Sequence, residues 1–280
     1  MKTVGFIDYY LDEWHADNLP QWIENVSQGA VKVCYAWAEI DSPLAEGKTS
    51  QEWAEETGVA LCDSQEAVIA QSDYLIVLSP DNPERHEDLC RLALSSGKPT
   101  YVDKTFSVGT ADAARIIAYA EASGTPFFSC SSLRYDTEIQ ARMGREIVMI
   151  NSFGPGSANY MVHQMEPIFM LMGGSAQRVM ALGEVDTPTL LLDFGENRRA
   201  VMNFCDRDTG FGCTVRYADG KCDTFLIESD YFTAMTVDML KFFETKQPPV
   251  CADDTYAIMA MIEAGLTAAQ NPGIWVDVKK

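Results

Sequence analysis

The sequence predicts an α/β protein with a doubly wound parallel sheet in its first half and an α+β domain with an open antiparallel sheet in its second half. In the first half, apolar β-rich runs alternate with helical segments, an order typical of parallel sheets. In the second half, several strands follow one another with only turn signals between them, which indicates antiparallel pairing. This change in order gives two predicted domains, 1–131 and 132–280.

The strands of the first half are predicted from short apolar runs. The run "YLIVLS" is continuously apolar, which is typical of a strand buried on both faces of a parallel sheet. In chain order the predicted strands cover 3–7, 31–38, 74–79, 99–102 and 126–130.

Helices are predicted between these strands from capping residues and glycine stops. The first helix has Pro20 in its first turn and turns Trp22, Ile23 and Val26 toward the core. The further starts and stops are Thr49 or Ser50 with Gly58, Asp63 with Glu66, Asn82-Pro83 with Gly97, and Thr110 with Gly124.

The second half begins with a helix near 163–172 that ends at Gly173-Gly174. Alternating strands and two closing helices follow it. The strands are predicted at 177–183, 188–194, 198–204, 211–217 and 222–227, and the helices at 231–244 and 253–270.

Composition excludes several classes of function. The chain has 280 residues and a formal net charge of −20, a field that repels nucleic acid and anionic membrane surfaces. Its eight cysteines form no CxxC pair and have no histidine at zinc-ligand spacing, so no metal site is predicted. Reduced thiols, a strand that begins at Thr3 and the lack of an apolar run of about 18 residues predict a cytoplasmic protein without a signal peptide or membrane span.

Candidate chemistry lies where the parallel strands end, because ligands of doubly wound sheets bind beyond the carboxyl ends of the strands. Asp103 and Lys104 directly follow the strand predicted at 99–102. A lysine at this edge can stabilise an alkoxide or accept a proton from a hydroxyl group.

Three segments resemble the Gfo/Idh/MocA family, which includes glucose–fructose oxidoreductase and inositol dehydrogenase. "SPDNPERHEDLCRLALSSGKPTYVDKTFSVGTADAARIIAYAEASG" resembles the family's central segment, with Asp103-Lys104-Thr105 in place of Glu-Lys-Pro. "LRYD" at 133–136 resembles the Arg-aromatic motif that begins the second domain. "NYMVHQMEPIFMLMGG" at 159–174 resembles the Asp-x-x-x-His-x-x-Asp helix, with Asn159 replacing the first aspartate.

The resemblance implies a Rossmann-like dinucleotide-binding domain over 1–131 and a substrate and oligomerisation domain over 132–280. It implies hydride transfer between NAD or NADP and a sugar or polyol. The catalytic residues would be Lys104, His163 and Asn159, converging on one cleft between the domains. The cofactor would contact Ile7, Asp8, Tyr9, Tyr10, Ser79, Pro80, His86 and Asp103, and the substrate Arg134, Tyr160 and Glu166.

The turn after the first strand departs from the family pattern because it contains no glycine. Glycines normally let backbone amides approach a pyrophosphate without interference from a Cβ atom. Here the turn reads Asp8, Tyr9, Tyr10, Leu11, Asp12. We therefore expect the side chain of Tyr9, Tyr10 or Leu11 to fill part of the pyrophosphate position.

Three hypotheses follow for function. The first is a nicotinamide-dependent oxidoreductase that acts on a carbohydrate-like small molecule. The second is a non-redox relative that acts as a small-molecule-binding or accessory protein. The third is a lyase or isomerase that uses Lys104 and His163 for proton transfer. In addition, apolar residues at outward positions of the strands in 188–217 predict a homodimer or higher homo-oligomer.

Overall fold

The computed structural model describes residues 1–156, 160–206 and 208–279. The chain divides into two compact units. The first unit comprises Met1–Ser129 and Met235–Ala252, and the second comprises Cys130–Ala234 and Asp253–Lys280. The chain first passes from one unit to the other after Ser129, whereas the boundary was predicted after residue 131. The first unit also includes the later segment Met235–Ala252.

The first unit is built on a parallel sheet with helices in the connections. Its strands are β1 (Lys2–Asp8), β2 (Val31–Ala38), β3 (Ala60–Leu61), β4 (Tyr74–Val77), β5 (Thr100–Val102) and β6 (Phe127–Phe128), and its helices are α1 (Trp14–Ser27), α2 (Ser50–Thr57), α3 (Gln65–Gln71), α4 (His86–Leu94) and α5 (Thr110–Ser123). The strand order is β3-β2-β1-β4-β5-β6, and all five pairs are parallel. The predicted doubly wound parallel sheet is confirmed, and the reversal of strand order lies between β1 and β4.

Close packing against β1 explains the glycine in its centre. A Cβ atom at Gly5 would lie 2.3 Å from Ser72 Oγ and 2.4 Å from a methyl carbon of Val68, both on or next to α3. Any larger residue would therefore push α3 away from the sheet. Gly5 belongs to the packing of this unit and does not form part of a phosphate loop.

Helix α1 begins earlier than the sequence indicated. It begins at Trp14 after the N-cap residue Glu13, and Pro20 lies inside the helix instead of in its first turn. Of the three residues expected to face the core, Ile23 is fully buried, whereas Trp22 and Val26 are partly exposed. The turn between β1 and α1 is consequently short and comprises residues 9–13.

The second unit carries a sheet packed against helices. Its elements are α6 (Thr137–Gln140), β7 (Ile147–Pro155), α7 (Met161–Met172), β8 (Arg178–Leu182), β9 (Thr189–Gly195), β10 (Arg198–Cys205), β11 (Gly212–Tyr217), β12 (Cys222–Leu226), α9 (Ala252–Gln270) and β13 (Val276–Asp277). The described strands run in the order β12-β11-β7-β10-β9-β8-β13. Their pairs are antiparallel except that β7 and β10 are parallel, so the sheet is mixed.

The mixed character of this sheet comes from β7, a strand that the sequence did not indicate. The strands β8 to β12 lie within a residue or two of their predicted positions, whereas the two-residue strand β13 was not predicted. Because β7 enters the sheet between β10 and β11, the successive strands predicted at 198–204 and 211–217 are not neighbours.

Helix α8 (Tyr231–Thr245) belongs to the first unit from Met235 onward. Phe243 stacks on Tyr74 with ring centroids 4.7 Å apart, and Phe242 meets Phe128 edge-on at 4.9 Å. The C-terminal part of the chain thus contributes aromatic side chains to the core of the first unit.

Candidate functional site

The carboxyl edge of the first sheet holds a group of buried charged residues. Asp8 ends β1, and its side chain is fully buried. Its Oδ1 accepts a hydrogen bond of 2.7 Å from the amide of Tyr9, while Oδ2 has no hydrogen-bond partner among the described residues. Burial and the nearby carboxylate of Glu13 raise the pKa of Asp8 well above its usual value.

The carboxylate of Glu13 occupies the N-terminus of α1. It accepts hydrogen bonds from the amides of His15, at 2.6 Å, and Ala16. These are amides that a helix leaves without an internal partner, and a negative charge there also meets the positive end of the helix dipole. Glu13 is only 7% exposed, and burial raises the pKa of its carboxyl to about 7.

Asp103 joins α1 to the end of β5. Its carboxylate contacts Nδ1 of His15, accepts 2.8 Å from the amide of Lys104 and lies 3.3 Å from the hydroxyl of Tyr101. Burial alone would raise the pKa of Asp103, but the charges of His15 and Lys104 hold it at about 2. The same pairing raises the pKa of His15 despite its burial, so the two form an ion pair.

Lys104 follows Asp103 at the end of β5 and is 7% exposed. Its Nζ lies 3.3 Å from the carbonyl oxygen of Pro80, which follows β4. The structure therefore places the predicted residues Asp103, Lys104 and Pro80 together at one edge of the sheet. Ser79, the residue before Pro80, has a φ of +93° and donates 3.0 Å to the carbonyl of Asn82.

His86 supports these loops through main-chain contacts. It is fully buried, with Nε2 2.8 Å from the carbonyl oxygen of Leu78 and Nδ1 3.1 Å from that of Phe106. Burial lowers the pKa of His86. Its part in any cofactor site is therefore to hold the loops after β4 and β5, because both ring nitrogens already face protein oxygens.

The acidic residue that follows β2 is also paired with another side chain of the same unit. Glu39, directly after β2, pairs with Arg85 through oxygen–nitrogen distances of 2.8 to 3.2 Å. The guanidinium of Arg85 lies 5.6 Å from the centre of the Tyr9 ring. An acidic side chain near this position binds the ribose of a dinucleotide in many doubly wound proteins, but here its partner is an arginine of the same chain.

These contacts do not fit the pyrophosphate of a dinucleotide at the N-terminus of α1. The amides of His15 and Ala16 already donate to Glu13, and Leu11 of the same turn is 1% exposed. Tyr9 and Tyr10 are half-buried, with ring centroids 5.9 Å apart. A phosphate would have to displace a carboxylate, and carboxylates at this edge repel it.

The second unit holds another cluster of candidate residues at the start of α7. Glu166, 1% exposed, accepts 2.5 Å from Nε of Arg134 and 2.6 Å from the amide of Ser131. Ser131 Oγ lies 2.8 Å from Nδ1 of His163. Tyr160 is 43% exposed, and its ring centre is 5.5 Å from that of His163.

Among the predicted residues of this cluster, Arg134, His163 and Glu166 are brought together through Ser131. Burial opposes ionisation of Glu166 and raises its pKa, although the charge of Arg134 acts in the opposite direction. Nη2 of Arg134 is buried without a hydrogen-bond partner among the described residues. Asn159 lies outside the described residues.

Sequence reasoning missed Glu13, His15 and Ser131. Glu13 is an uncommon N-cap residue, and the true start of α1 was hidden by Pro20. His15 meets Asp103 across 88 positions of sequence, so no local pattern signals the pair. Ser131 precedes "LRYD" and could have been noticed only as the N-cap of the turn Ser132–Tyr135.

Two further features bear on binding. In the part of the chain that the structure describes, no three His, Cys, Asp or Glu residues come together in a group that could hold a metal ion. No helix within the described ranges is both long and apolar enough to span a membrane.

Comparison with known proteins identifies structural relatives only. The myo-inositol 2-dehydrogenase of Lactobacillus plantarum matches over 99% of both chains with a TM-score of 0.80 and 15% identity. GenD2 from gentamicin A biosynthesis, solved with NAD, matches 100% of this chain and 97% of its own with a TM-score of 0.78 and 13% identity. The WlbA dehydrogenase from Bordetella pertussis, solved with NADH and UDP-GlcNAcA, matches 99% of both chains with a TM-score of 0.73 and 13% identity.

The fold of this chain is that of α/β proteins with a Rossmann-like parallel sheet and a second, mixed sheet. Their similarity to this chain over its whole length confirms the predicted α/β fold with a Rossmann-like parallel sheet. No family model and no curated protein sequence matches the chain.

We predict that Glu13→Gln reduces the loss of stability between about pH 4.5 and pH 7. Because the pKa of Glu13 rises from 4.5 to about 7 on folding, the folded chain binds the proton more tightly than the unfolded chain. Its contribution to stability is therefore complete below pH 4.5 and is lost as pH rises through about 7. The effect is about 1–3 kcal/mol, measured by urea unfolding at pH 5 and pH 7.5.

The glutamine retains one oxygen that can accept from an α1 amide, so one of the two capping hydrogen bonds is preserved. Glu66→Gln is the matched control, since Glu66 is an exposed acid in the first turn of α3. An unchanged pH dependence in Glu13→Gln would contradict the assignment.

Proposed function

We propose that the chain is an oxidoreductase of the Gfo/Idh/MocA type that acts on a small carbohydrate-like molecule. The observation that carries the proposal is the position of Lys104, buried at the carboxyl end of β5 and next to the Asp103–His15 ion pair. The likeness of the whole chain to dehydrogenases of known structure supports it.

Lys104 would handle the proton of the reacting hydroxyl group. Oxidation of an alcohol requires a proton acceptor within about 3 Å of the hydroxyl oxygen, and reduction of a carbonyl requires a donor there. The ammonium and amine forms of lysine can fill both roles. Asp103, which contacts the Lys104 amide and His15, would hold the lysine turn in place.

The second unit carries candidate residues for binding the substrate. Arg134 offers a buried Nη2 without a partner among the described residues, a donor suited to a hydroxyl or carbonyl oxygen. Tyr160 is exposed enough for its ring to contact a sugar face. We propose His163, Asn159 and Glu166 as the remaining residues of this site, with Glu166 holding Arg134 in place.

A nicotinamide cofactor, NAD or NADP, would supply the redox chemistry when bound. Because the α1 N-terminus is closed by Glu13, we propose that this chain binds such a cofactor weakly. Replacing Glu13 by alanine frees two amides and removes a carboxylate. It should therefore strengthen binding of an anionic cofactor by about 5–30-fold, corresponding to 1–2 kcal/mol.

The test is titration of the purified chain with NADH and with NADPH, followed by cofactor fluorescence and calorimetry. We expect saturable binding that tightens in Glu13→Ala. Glu66→Ala is the control, because Glu66 lies at the start of a different helix. Absence of binding to millimolar concentration in both the native chain and Glu13→Ala would refute a nicotinamide-dependent function.

Lys104→Ala provides a second test once turnover of a sugar or polyol is detected. Loss of the proton-transfer group should lower turnover by roughly 10²–10⁴-fold. Lys241→Ala, at an exposed position of α8, should leave turnover unchanged. Equal activities in the two variants would remove Lys104 from the mechanism.

A non-redox function is the second candidate, and the carboxylate of Glu13 on α1 is the observation that favours it. In that case the chain would bind a small molecule as an accessory protein, or would act as a lyase or isomerase through Lys104 and His163. Absence of NADH and NADPH binding in both the native chain and Glu13→Ala would favour this candidate.

We also propose that the chain forms a homodimer or higher homo-oligomer through the outer face of its second sheet. Leu191 is paired in register with Val201 on β10 and with Met180 on β8. All three are partly exposed, whereas Leu190 and Leu192 are buried. An exposed apolar stripe of this kind favours a subunit interface. Light scattering at micromolar concentration should give a multiple of 31.0 kDa, and a monomer would refute the proposal.

A further inference from the structure

The hydroxyl of Ser131 has a defined set of partners. Ser131 is fully buried and caps the turn Ser132–Tyr135, with Oγ accepting 3.3 Å from the amide of Leu133. Its own amide donates 2.6 Å to Glu166. Both the main chain and the side chain of Ser131 are therefore held in place next to α7.

The remaining partner of Ser131 Oγ is Nδ1 of His163, at 2.8 Å. A hydroxyl has one hydrogen to donate and two lone pairs that accept. One lone pair is taken by Leu133. Among the described residues, Nδ1 of His163 is the group that can accept the hydroxyl hydrogen.

The opposite arrangement would be less stable. If Nδ1 carried a hydrogen and donated it, Oγ would accept twice and its own hydrogen would be buried without an acceptor in the described part of the chain. An unmet buried donor of this kind is disfavoured. Neutral His163 should therefore carry its hydrogen on Nε2.

No carboxylate of the cluster takes the place of the serine. Glu166 lies one turn along α7 from His163, but its two oxygens accept from Arg134 and from the Ser131 amide. The rings of Tyr160 and Phe211, with centres 5.5 and 5.8 Å away, further limit how the His163 ring can rotate.

We infer that Ser131 is a positioning residue that holds neutral His163 with its hydrogen on Nε2, so that Nδ1 is the accepting nitrogen of the ring and Nε2 the donating one. A ring in this form cannot accept a proton at Nε2, which argues against His163 as the general base of the proposed reaction. This consequence rests on the proposed function.

The experiment is long-range ¹H–¹⁵N correlation NMR on the ¹⁵N-labelled full chain, at a pH at which the ring is neutral. The chain has only three histidines, and His163→Gln identifies the signals of this one. We expect Nδ1 of His163 to resonate as an unprotonated nitrogen and Nε2 as a protonated one. A hydrogen on Nδ1 in the native chain would overturn the inference without any variant.

Ser131→Ala should mix the two forms, so that the two nitrogen resonances of His163 move toward each other. Ser152→Ala is the matched control, because Ser152 is also buried and donates 2.8 Å to Gln164, the neighbour of His163 on α7. That variant should leave the His163 spectrum unchanged. An unchanged spectrum in Ser131→Ala, or an equal change in both variants, would refute the role of Ser131.

The NMR result requires neither cofactor nor substrate. A chain that fails to bind NADH can still show the expected state of His163, so failure of the proposed function and failure of this inference are separate outcomes. If Ser131→Ala does not fold, the spectrum of the native chain still decides the position of the hydrogen.

Discussion

The hydrogen bonds from the first amides of α1 to the carboxylate of Glu13 determine what the first unit can bind. A helix that begins directly behind a parallel strand normally offers these amides to an anion. Here the anion belongs to the chain itself, and His15, the next residue but one, turns toward Asp103 at the end of β5. The edge that would receive a diphosphate is therefore a network of protein charges that compensate one another.

In both units, a buried carboxylate is paired with a positively charged side chain. In the first unit, Asp103 stays ionised because His15 and Lys104 surround it, whereas Asp8 and Glu13 face other carboxylates and retain protons more readily. In the second unit, Glu166 is paired with Arg134. Buried charges are costly unless paired, so each such pair also fixes the position of the side chains around it.

The apolar runs of the sequence were sufficient to predict most of the fold. Three strands escaped for physical reasons: β3 and β13 have only two residues each, and Asn151 and Gly154 interrupt the apolar pattern of β7. The site was harder to predict. The strand-end rule identified Asp103 and Lys104, but the partners of Asp103 come from another part of the chain, and an N-cap glutamate gives a weaker signal than serine or aspartate.

The return of α8 to the first unit affects how this protein is made. Tyr74 and Phe128 are synthesised early, but Phe243 and Phe242, which cover them, leave the ribosome only after more than one hundred further residues. The N-terminal sheet therefore emerges with part of its apolar surface uncovered, and its core is complete only when the chain has been synthesised beyond Phe243. Stable folding of the first unit is thereby tied to translation of the second, and a prematurely terminated chain presents an aromatic surface to chaperones and proteases.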